Sequence, residues 1–185
     1  MLSWPRYPTI YEINAWVWLR ELGKNRKTPV TFATVPKKEW DGIASLGVDA
    51  VWFMGVWERS PAGIAVAMGN SGLLDDFHRT LPDFTAADNV GSPYCVRRYV
   101  VDPHLGGPEG LAVARKELAK RGLRLMLDFV PNHVAPDHPW VAEYPEYFVQ
   151  GSADDARNDP ASFIEAGGKK AGFVEAAHGA KGKMS

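Results

Sequence analysis

Three polar side chains that could contact a ligand stand at the end of one apolar run. The run is Leu123–Val134 (LRLMLDFVPNHV), and it ends in Asp128, Asn132 and His133. A carboxylate, an amide and an imidazole are hydrogen-bonding groups suited to a polar ligand. A short apolar run that closes in a turn signal is typical of a strand buried on both faces, and Pro131 ends it. We therefore expect these side chains at the carboxyl end of a parallel strand, where α/β folds handle ligands.

Two further carboxylates could join Asp128. Glu12 lies in Thr9–Leu19, a run rich in β-branched and aromatic residues that predicts a first strand. Glu58 follows Val48–Trp57, an almost wholly apolar run that predicts a second strand. Glu12 is either functional or a satisfied structural polar group. Glu58 is either functional or the ion-pair partner of Arg59 or of a neighbouring loop.

Helices are predicted between these strands. Pro36 suits the first turn of a helix that Gly47 ends, and a second helix begins at Gly107 and ends at Gly122. The succession of strand, helix and strand predicts parallel pairing through right-handed crossovers. The long stretch 60–91 carries apolar residues at helical spacing and predicts one more helix.

Three segments resemble one family in the right order. DFVPNHV resembles the first conserved region of the alpha-amylase family (glycoside hydrolase family 13), usually written D-x-V-x-N-H. Gly47–Trp57 (GVDAVWFMGVW) is similar to the family's second barrel strand, and Ser92–Gly107 (SPYCVRRYVVDPHLGG) is similar to its tyrosine-bearing segment. With Tyr7–Leu19 as the first strand, the resemblance covers roughly residues 7–150.

The resemblance implies a TIM-type (β/α) barrel. At 185 residues the chain is shorter than the about 250 residues of a complete barrel, so we expect a partial one over residues 1–150, with about three parallel strands and crossover helices. Its open edges and uncovered face predict completion by self-association, giving a homo-oligomer, or coverage of the face by the chain's own loops and tail. Residues 151–185 form a polar tail, for which we expect disorder or a weak helix after about Gly167.

The resemblance also implies sugar contacts. Tyr94 matches the tyrosine that stacks on the sugar whose bond is cleaved, and His133 matches the histidine that hydrogen-bonds a hydroxyl of that sugar. Trp140 is a further candidate for stacking, although a packing role is open for it and for Tyr94. Asn132 matches the residue that gives an oxygen to a structural calcium in some members. Calcium is thus a possible ligand, and no cofactor is expected to be required.

The resemblance does not identify the catalytic carboxylates of this chain. In the family, the nucleophile and the acid/base follow the fourth and fifth strands, and no segment here has the pattern G-x-R-x-D expected for a fourth strand. Asp128 is implied to orient neighbouring groups rather than to attack. Glycoside hydrolysis needs two carboxyl groups. Asp128 with Glu58 or with Glu12 is the pair that strand-end geometry suggests.

The composition bears on the kinds of binding partner and on the cellular location. The net charge of −1 gives no electrostatic argument for nucleic acid or for a membrane surface. Cys95 is the one cysteine, and this is compatible with the cytosol. The N-terminal sequence shows no apolar signal region, and no run approaches the roughly 20 apolar residues of a membrane span.

Three functions remain open on the sequence. The first is a truncated alpha-amylase-like glycosidase that hydrolyses α-1,4-glucans such as starch and maltooligosaccharides. The second is a non-catalytic module that binds carbohydrate through aromatic side chains such as Tyr94 and Trp140. The third is a self-associating structural fragment without a ligand.

Overall fold

The computed structural model describes residues 4–160, 162–166 and 172–175. In chain order the elements are β1 (Ile10–Asn14), α1 (Ala15–Gly23), α2 (Lys37–Ser45), β2 (Ala50–Met54), β3 (Trp57–Arg59), α3 (Pro61–Met68), α4 (Ser71–Thr80), β4 (Val96–Val101), α5 (Gly107–Lys120), β5 (Arg124–Leu127), α6 (Pro139–Glu143), β6 (Gln150–Gly151), α7 (Ala153–Asn158), β7 (Phe163–Ala166) and β8 (Gly172–Glu175). Single 3-10 turns occupy Ala86–Asp88, Pro103–Leu105 and Pro145–Tyr147. The chain forms two compact units: the first comprises Met1–Glu58 and Tyr99–Phe129, and the second comprises Arg59–Arg98 and Val130–Ser185.

The first unit contains a three-stranded parallel sheet in the order β1-β2-β5. Ile10 is level with Ala50 on the central strand, and Ala50 is level with Arg124 on β5. The predicted partial barrel of parallel strands and crossover helices is therefore confirmed. Among the described residues this sheet is open and does not close into a barrel.

One face of this sheet makes the core with the helices. Phe53 on β2 contacts the rings of Trp18, Phe32 and Trp40, with centroids 4.8–6.3 Å apart. Phe53, Phe32 and Trp40 are at most 1% exposed. The apolar residues of β2 that alternate with Trp52 thus pack under α1 and α2, which leaves Trp52 for the opposite face. That second face carries the polar residues at the strand ends.

The predicted first strand is too long. It ends at Asn14, and Ala15 begins α1, because the Asn14 side chain accepts the backbone N–H of Val17 at 3.2 Å and caps the helix. Ala15 and Leu19 are buried one helical turn apart, so the aromatic residues between them suit a helix packed on the sheet. Aromatic content alone predicted a strand here, and packing overrode it.

The predicted second strand is interrupted. Gly55 adopts a φ of +77°, which ends β2, and Trp57–Arg59 then form the short strand β3. β3 and β4 form a two-stranded sheet. The sequence did not predict β4, although its VRRYVV run is rich in β-branched residues. The helices predicted after Pro36, after Gly107 and within 60–91 are present as α2, α5 and α4.

The second unit carries α3, α4 and a small antiparallel sheet in the order β6-β8-β7. Val141 on α6 and Val174 on β8 form its buried cluster. Disorder or a weak helix was predicted for Gly172–Glu175, but this segment is a strand because β6 and β7 pair with it on both sides. Residues 167–171 and 176–185, the rest of the tail predicted to be disordered, lie outside the described residues. The boundary at residue 150 stays a prediction.

No helix in the described part of the chain combines the length and the apolar character that a bilayer crossing requires.

Candidate functional site

Asp128 lies directly after β5, and hydrogen bonds hold its carboxylate on both sides. Oδ1 accepts the indole N–H of Trp52 at 2.8 Å, and Oδ2 accepts the backbone N–H of Gly55 at 2.5 Å. The backbone carbonyl of Asp128 accepts the indole N–H of Trp57 at 2.9 Å. Asp128 is 8% exposed. It therefore fastens the end of β5 to β2, to the Gly55 turn and to β3.

The register of the sheet explains why Trp52 reaches Asp128. Trp52 is level with Met126 on β5, and Asp128 follows two positions later on the same face. A buried indole N–H needs an acceptor, and a carboxylate gives a charge-assisted hydrogen bond. Both oxygens are thus engaged by donors of neighbouring residues, and the orienting role that the family resemblance implied for Asp128 stays a prediction.

Glu12 is exposed on the edge strand β1, on the same face as Asp128. It is level with Trp52, and two strand spacings of about 4.8 Å separate β1 from β5. Asp128 also lies two residues beyond Met126, the residue of β5 that is level with Glu12 and Trp52. The backbones of Glu12 and Asp128 are therefore roughly 11–12 Å apart in ideal sheet geometry. The two carboxyl groups could come within the about 6.5–9.5 Å of an inverting pair only if the side chains converge. The about 5–5.5 Å between the carboxyl groups of a retaining pair would need still stronger convergence. A catalytic pairing of Asp128 with Glu12 stays a prediction.

A surface depression of about 480 Å³ is lined by residues of β1, α1 and α2. Glu12 and Asn14 line it from the strand, Val17 lines it from α1, and Glu39 and Leu46 line it from α2 and the residue after it. Its carboxylates lie beside apolar side chains. Glu58, the other proposed partner of Asp128, is half-buried on β3 and is not part of this depression. Its catalytic pairing also stays a prediction.

The residues predicted to contact sugar lie in the second unit. Tyr94 is 41% exposed in the turn before β4, where its backbone N–H donates to Ser92 Oγ at 3.2 Å. His133 is half-buried, and its Nδ1 lies 3.3 Å from the Asn132 amide nitrogen. Trp140 is 46% exposed on α6. These positions leave each ring at least partly accessible, and their sugar contacts stay predictions.

Asn132 is the candidate calcium ligand. It is exposed, and its amide nitrogen contacts His133, so its carbonyl oxygen is not used in that contact. The described residues contain no group of three or more His, Cys, Asp or Glu arranged to hold a metal. Calcium also takes amide and backbone carbonyl oxygens. A calcium site at Asn132 stays a prediction.

A polar network that sequence reasoning missed holds the segment after His133. Asp137 accepts the hydroxyl of Ser60 at 2.5 Å and the backbone N–H of Ala62 at 3.4 Å, and Arg97 lies 3.5 Å from it. Ser60 also caps α3. Burial raises the pKa of the nearby Cys95 thiol, which disfavours the reactive thiolate. The Ser-Pro pair that begins α3 was the available signal, since serine before proline is typical of a helix start.

The donors to Asp128 were also missed. The available signal was a tryptophan on each side of Gly55, Trp52 before it and Trp57 after it. Indole N–H groups require acceptors when they are buried, and the glycine indicates a strand end between the two tryptophans. Sequence alone did not indicate which acceptor they share.

Solved structures resemble the chain in fold. An alpha-amylase from Lactobacillus plantarum matches 93% of this chain and 32% of its own, with a TM-score of 0.55 and 22% identity. Isomaltulose synthase (PalI) from Klebsiella sp. LX3 matches 94% of this chain and 29% of its own, with a TM-score of 0.56 and 18% identity.

Two curated relatives are similar in sequence. An alpha-glucosidase from Culex pipiens is 27% identical over 144 residues, which are 74% of this chain and 20% of the relative. An alpha-1,4-glucan:maltose-1-phosphate maltosyltransferase from Cereibacter sphaeroides is 29% identical over 129 residues, which are 65% of this chain and 17% of the relative. The chain thus spans about a fifth of the length of these relatives. The family described as "Alpha amylase, catalytic domain" matches residues 38–164, more than half of the chain. Together with the parallel sheet and Asp128 at its carboxyl end, this match shows that the chain belongs to the alpha-amylase family of glycoside hydrolases and transferases.

Proposed function

We propose that this chain binds α-1,4-glucans, such as starch and maltooligosaccharides, and takes part in their hydrolysis. The observation that carries the proposal is the position of Asp128. Its carboxylate is fixed by Trp52 and Gly55 at the end of the strand whose continuation is Asn132 and His133. In the sequence, Asn132 and His133 therefore follow shortly after an anchored end of β5.

The relatives support the substrate class. One is named an alpha-glucosidase and the other a maltosyltransferase of alpha-1,4-glucan, so both names concern α-linked glucose. Hydrolysis and transfer share the cleavage of a glycosidic bond and differ in the acceptor. In our proposal Tyr94 stacks on the apolar face of the sugar at the cleaved bond, and His133 hydrogen-bonds one of its hydroxyls.

A second candidate is carbohydrate binding without cleavage. The observation that favours it is again Asp128, because hydrogen bonds engage both of its oxygens and its side chain is nearly buried. A carboxylate in that state is poorly placed to attack a sugar or to protonate a leaving group. Cleavage would then need carboxyl groups other than Asp128.

Release of reducing ends from maltoheptaose by the full chain separates the two candidates. We expect the activity to co-elute with the protein in size fractionation. The rate of release should fall more than about tenfold in His133→Ala, because this variant loses a hydrogen bond to the sugar at the cleaved bond. Trp4→Ala, which removes an exposed ring in the other unit, is the matched control. Binding of maltoheptaose without release would select the non-catalytic candidate, and neither binding nor release would reject both.

The open sheet supports a further part of the proposal. Among the described residues, β1 and β5 are each paired on one side only, and Ile10 and Tyr11 on β1 are more than 40% exposed. Unpaired edges with apolar side chains favour association. We propose a homo-oligomer, which light scattering at tens of micromolar would test. A calcium ion at Asn132 and a cytosolic location remain expectations from the sequence.

A further inference from the structure

Three aromatic side chains form an exposed surface in the second unit. Trp140 is 46% exposed, Tyr144 is 42% exposed and Tyr147 is 63% exposed. They lie within eight consecutive positions: Trp140 is on α6, Tyr147 is on the 3-10 turn that follows, and Tyr144 caps both elements. We call these three residues the aromatic surface. An exposed group of rings of this kind costs free energy in water and is typical of a binding site.

The rings define two planes. The rings of Tyr144 and Tyr147 are stacked, with centroids 5.2 Å apart and an angle of 10° between them. The ring of Trp140 meets Tyr147 edge to face, with centroids 5.8 Å apart and an angle of 86°. The aromatic surface is therefore a corner of two nearly perpendicular faces rather than a flat platform.

The backbone holds this corner in place before any ligand arrives. His138 Nδ1 accepts the backbone N–H of Trp140 at 3.1 Å, and the His138 ring packs against the Trp140 ring at 5.0 Å. The N–H of Tyr144 donates to the Trp140 carbonyl at 2.8 Å, and the N–H of Tyr147 donates to the Tyr144 carbonyl at 3.0 Å. Pro145 is buried between them. Little conformational entropy would be lost when a ligand binds such a surface.

The chemistry around the rings points to a neutral polyol. Glu143 and Glu146 are exposed within the same segment, so carboxylates accompany the rings. These carboxylates can accept hydrogen bonds from hydroxyl groups, and they oppose phosphates and other anions. A pyranose presents an apolar C–H face to an aromatic ring and hydroxyls at its rim. An α-1,4 linkage turns each glucose against the next, so the curved chain suits a corner of two faces.

We infer that the aromatic surface of Trp140, Tyr144 and Tyr147 is a binding site for two neighbouring glucose units of an α-1,4-glucan. This site acts in addition to the contacts proposed for Tyr94 and His133, and it rests on the proposed function for the identity of its ligand. One glucose stacks on Trp140 and the next stacks on the outer face of the tyrosine pair.

Native electrophoresis of the full chain in gels that contain soluble starch tests the inference. We expect starch to retard the chain, and we expect the affinity to fall about tenfold in Trp140→Ala and in Tyr147→Ala, as for the loss of one stacked ring. Trp4→Ala is the matched control, because it removes an aromatic side chain that is 52% exposed in the other unit. Cooperative thermal unfolding of each variant verifies that it folds, and Tyr147→Phe, which keeps the ring, should retain most of the retardation.

The outcomes separate this inference from the proposed function. Retardation that survives in Tyr94→Ala and His133→Ala but is lost in the two aromatic variants would support the aromatic surface. Retardation lost only in Tyr94→Ala and His133→Ala would overturn it and leave the proposed function standing. Equal retardation by a β-1,4-glucan would overturn it, since a flat chain does not need a corner. Altered migration of Trp140→Ala without starch would assign the surface to contacts between copies and would also overturn it.

Discussion

Replacing Asp128 by asparagine should destabilise the first unit strongly. Asparagine has nearly the same shape, but it has one acceptor oxygen, and its NH₂ group would face a donor. The donors concerned are the Trp52 indole, at 2.8 Å, and the Gly55 amide, at 2.5 Å. Two charge-assisted hydrogen bonds would be replaced by one neutral bond and one unsatisfied buried donor.

The magnitude follows from these contacts. A hydrogen bond to a charged group contributes about 1.5–3 kcal/mol, a neutral one contributes about 0.5–1.5 kcal/mol, and an unsatisfied buried polar group costs about 1–3 kcal/mol. One bond is weakened by about 1 kcal/mol, and the donor left without an acceptor costs about 1–3 kcal/mol, which already contains the loss of its bond. We therefore expect Asp128→Asn to lower the free energy of unfolding by about 2–4 kcal/mol. Trp52→Phe, which removes one donor and keeps most of the ring volume, should cost about 1–3 kcal/mol.

Urea denaturation followed by circular dichroism measures both changes. The double variant should cost less than the sum of the single ones by at least about 1 kcal/mol, because the two residues share one hydrogen bond. Asp76→Asn is the matched control, since Asp76 is an exposed partner of Arg79 and its ion pair is worth about 0–1 kcal/mol. An Asp128→Asn protein within about 0.5 kcal/mol of the wild type would refute the anchoring role.

Three further predictions concern other positions. Burial lowers the pKa of His138, so the folded protein binds a proton at this ring less readily than the unfolded chain does. The free energy of unfolding should therefore fall as the pH drops from the ordinary pKa of 6.5 toward the lowered one. His138→Asn, which keeps a helix-capping acceptor, should weaken this pH dependence in urea titrations at several pH values. Because its pKa is raised by burial, Cys95 should react with iodoacetamide at pH 8 several-fold more slowly in the folded protein than in urea, and equal rates would contradict its burial. Gly106→Ala should cost about 1–3 kcal/mol, since φ is +103° and a Cβ would lie 3.0 Å from Thr31, whereas Gly42→Ala in α2, where a Cβ meets no atom within 4 Å, should stabilise the chain by about 0.5–1 kcal/mol in thermal unfolding.

The parallel sheet could be predicted because its signals are local. Buried parallel strands are short apolar runs, and those of β2 and β5 are bounded by glycine or proline. The same local reasoning extended the first strand to Leu19, because it counted aromatic residues without the cap that Asn14 supplies. β4 was missed, although its composition is that of a strand.

The partners of the site residues could not be predicted. The bonds from Trp52 and Gly55 to Asp128 join positions more than 70 residues apart, and they depend on a register that no local pattern encodes. Ser60 and Asp137 are related in the same way, across 77 positions. Motif resemblance did indicate which residue types stand at the strand end. It did not show that each carboxylate oxygen of Asp128 already accepts a hydrogen bond from the protein.

The central claim is that an α-glucan contacts His133, and side-chain NMR of the five histidines during a maltoheptaose titration tests it most directly. The His133 imidazole signal, identified from a His133→Gln spectrum, should shift and saturate with maltoheptaose and should stay unchanged with a β-1,4-linked oligosaccharide. The His104 signal serves as the internal control, because Asp102 holds that ring at 2.9 Å in the first unit. A His133 signal that stays still while maltoheptaose reaches millimolar concentration would contradict the account.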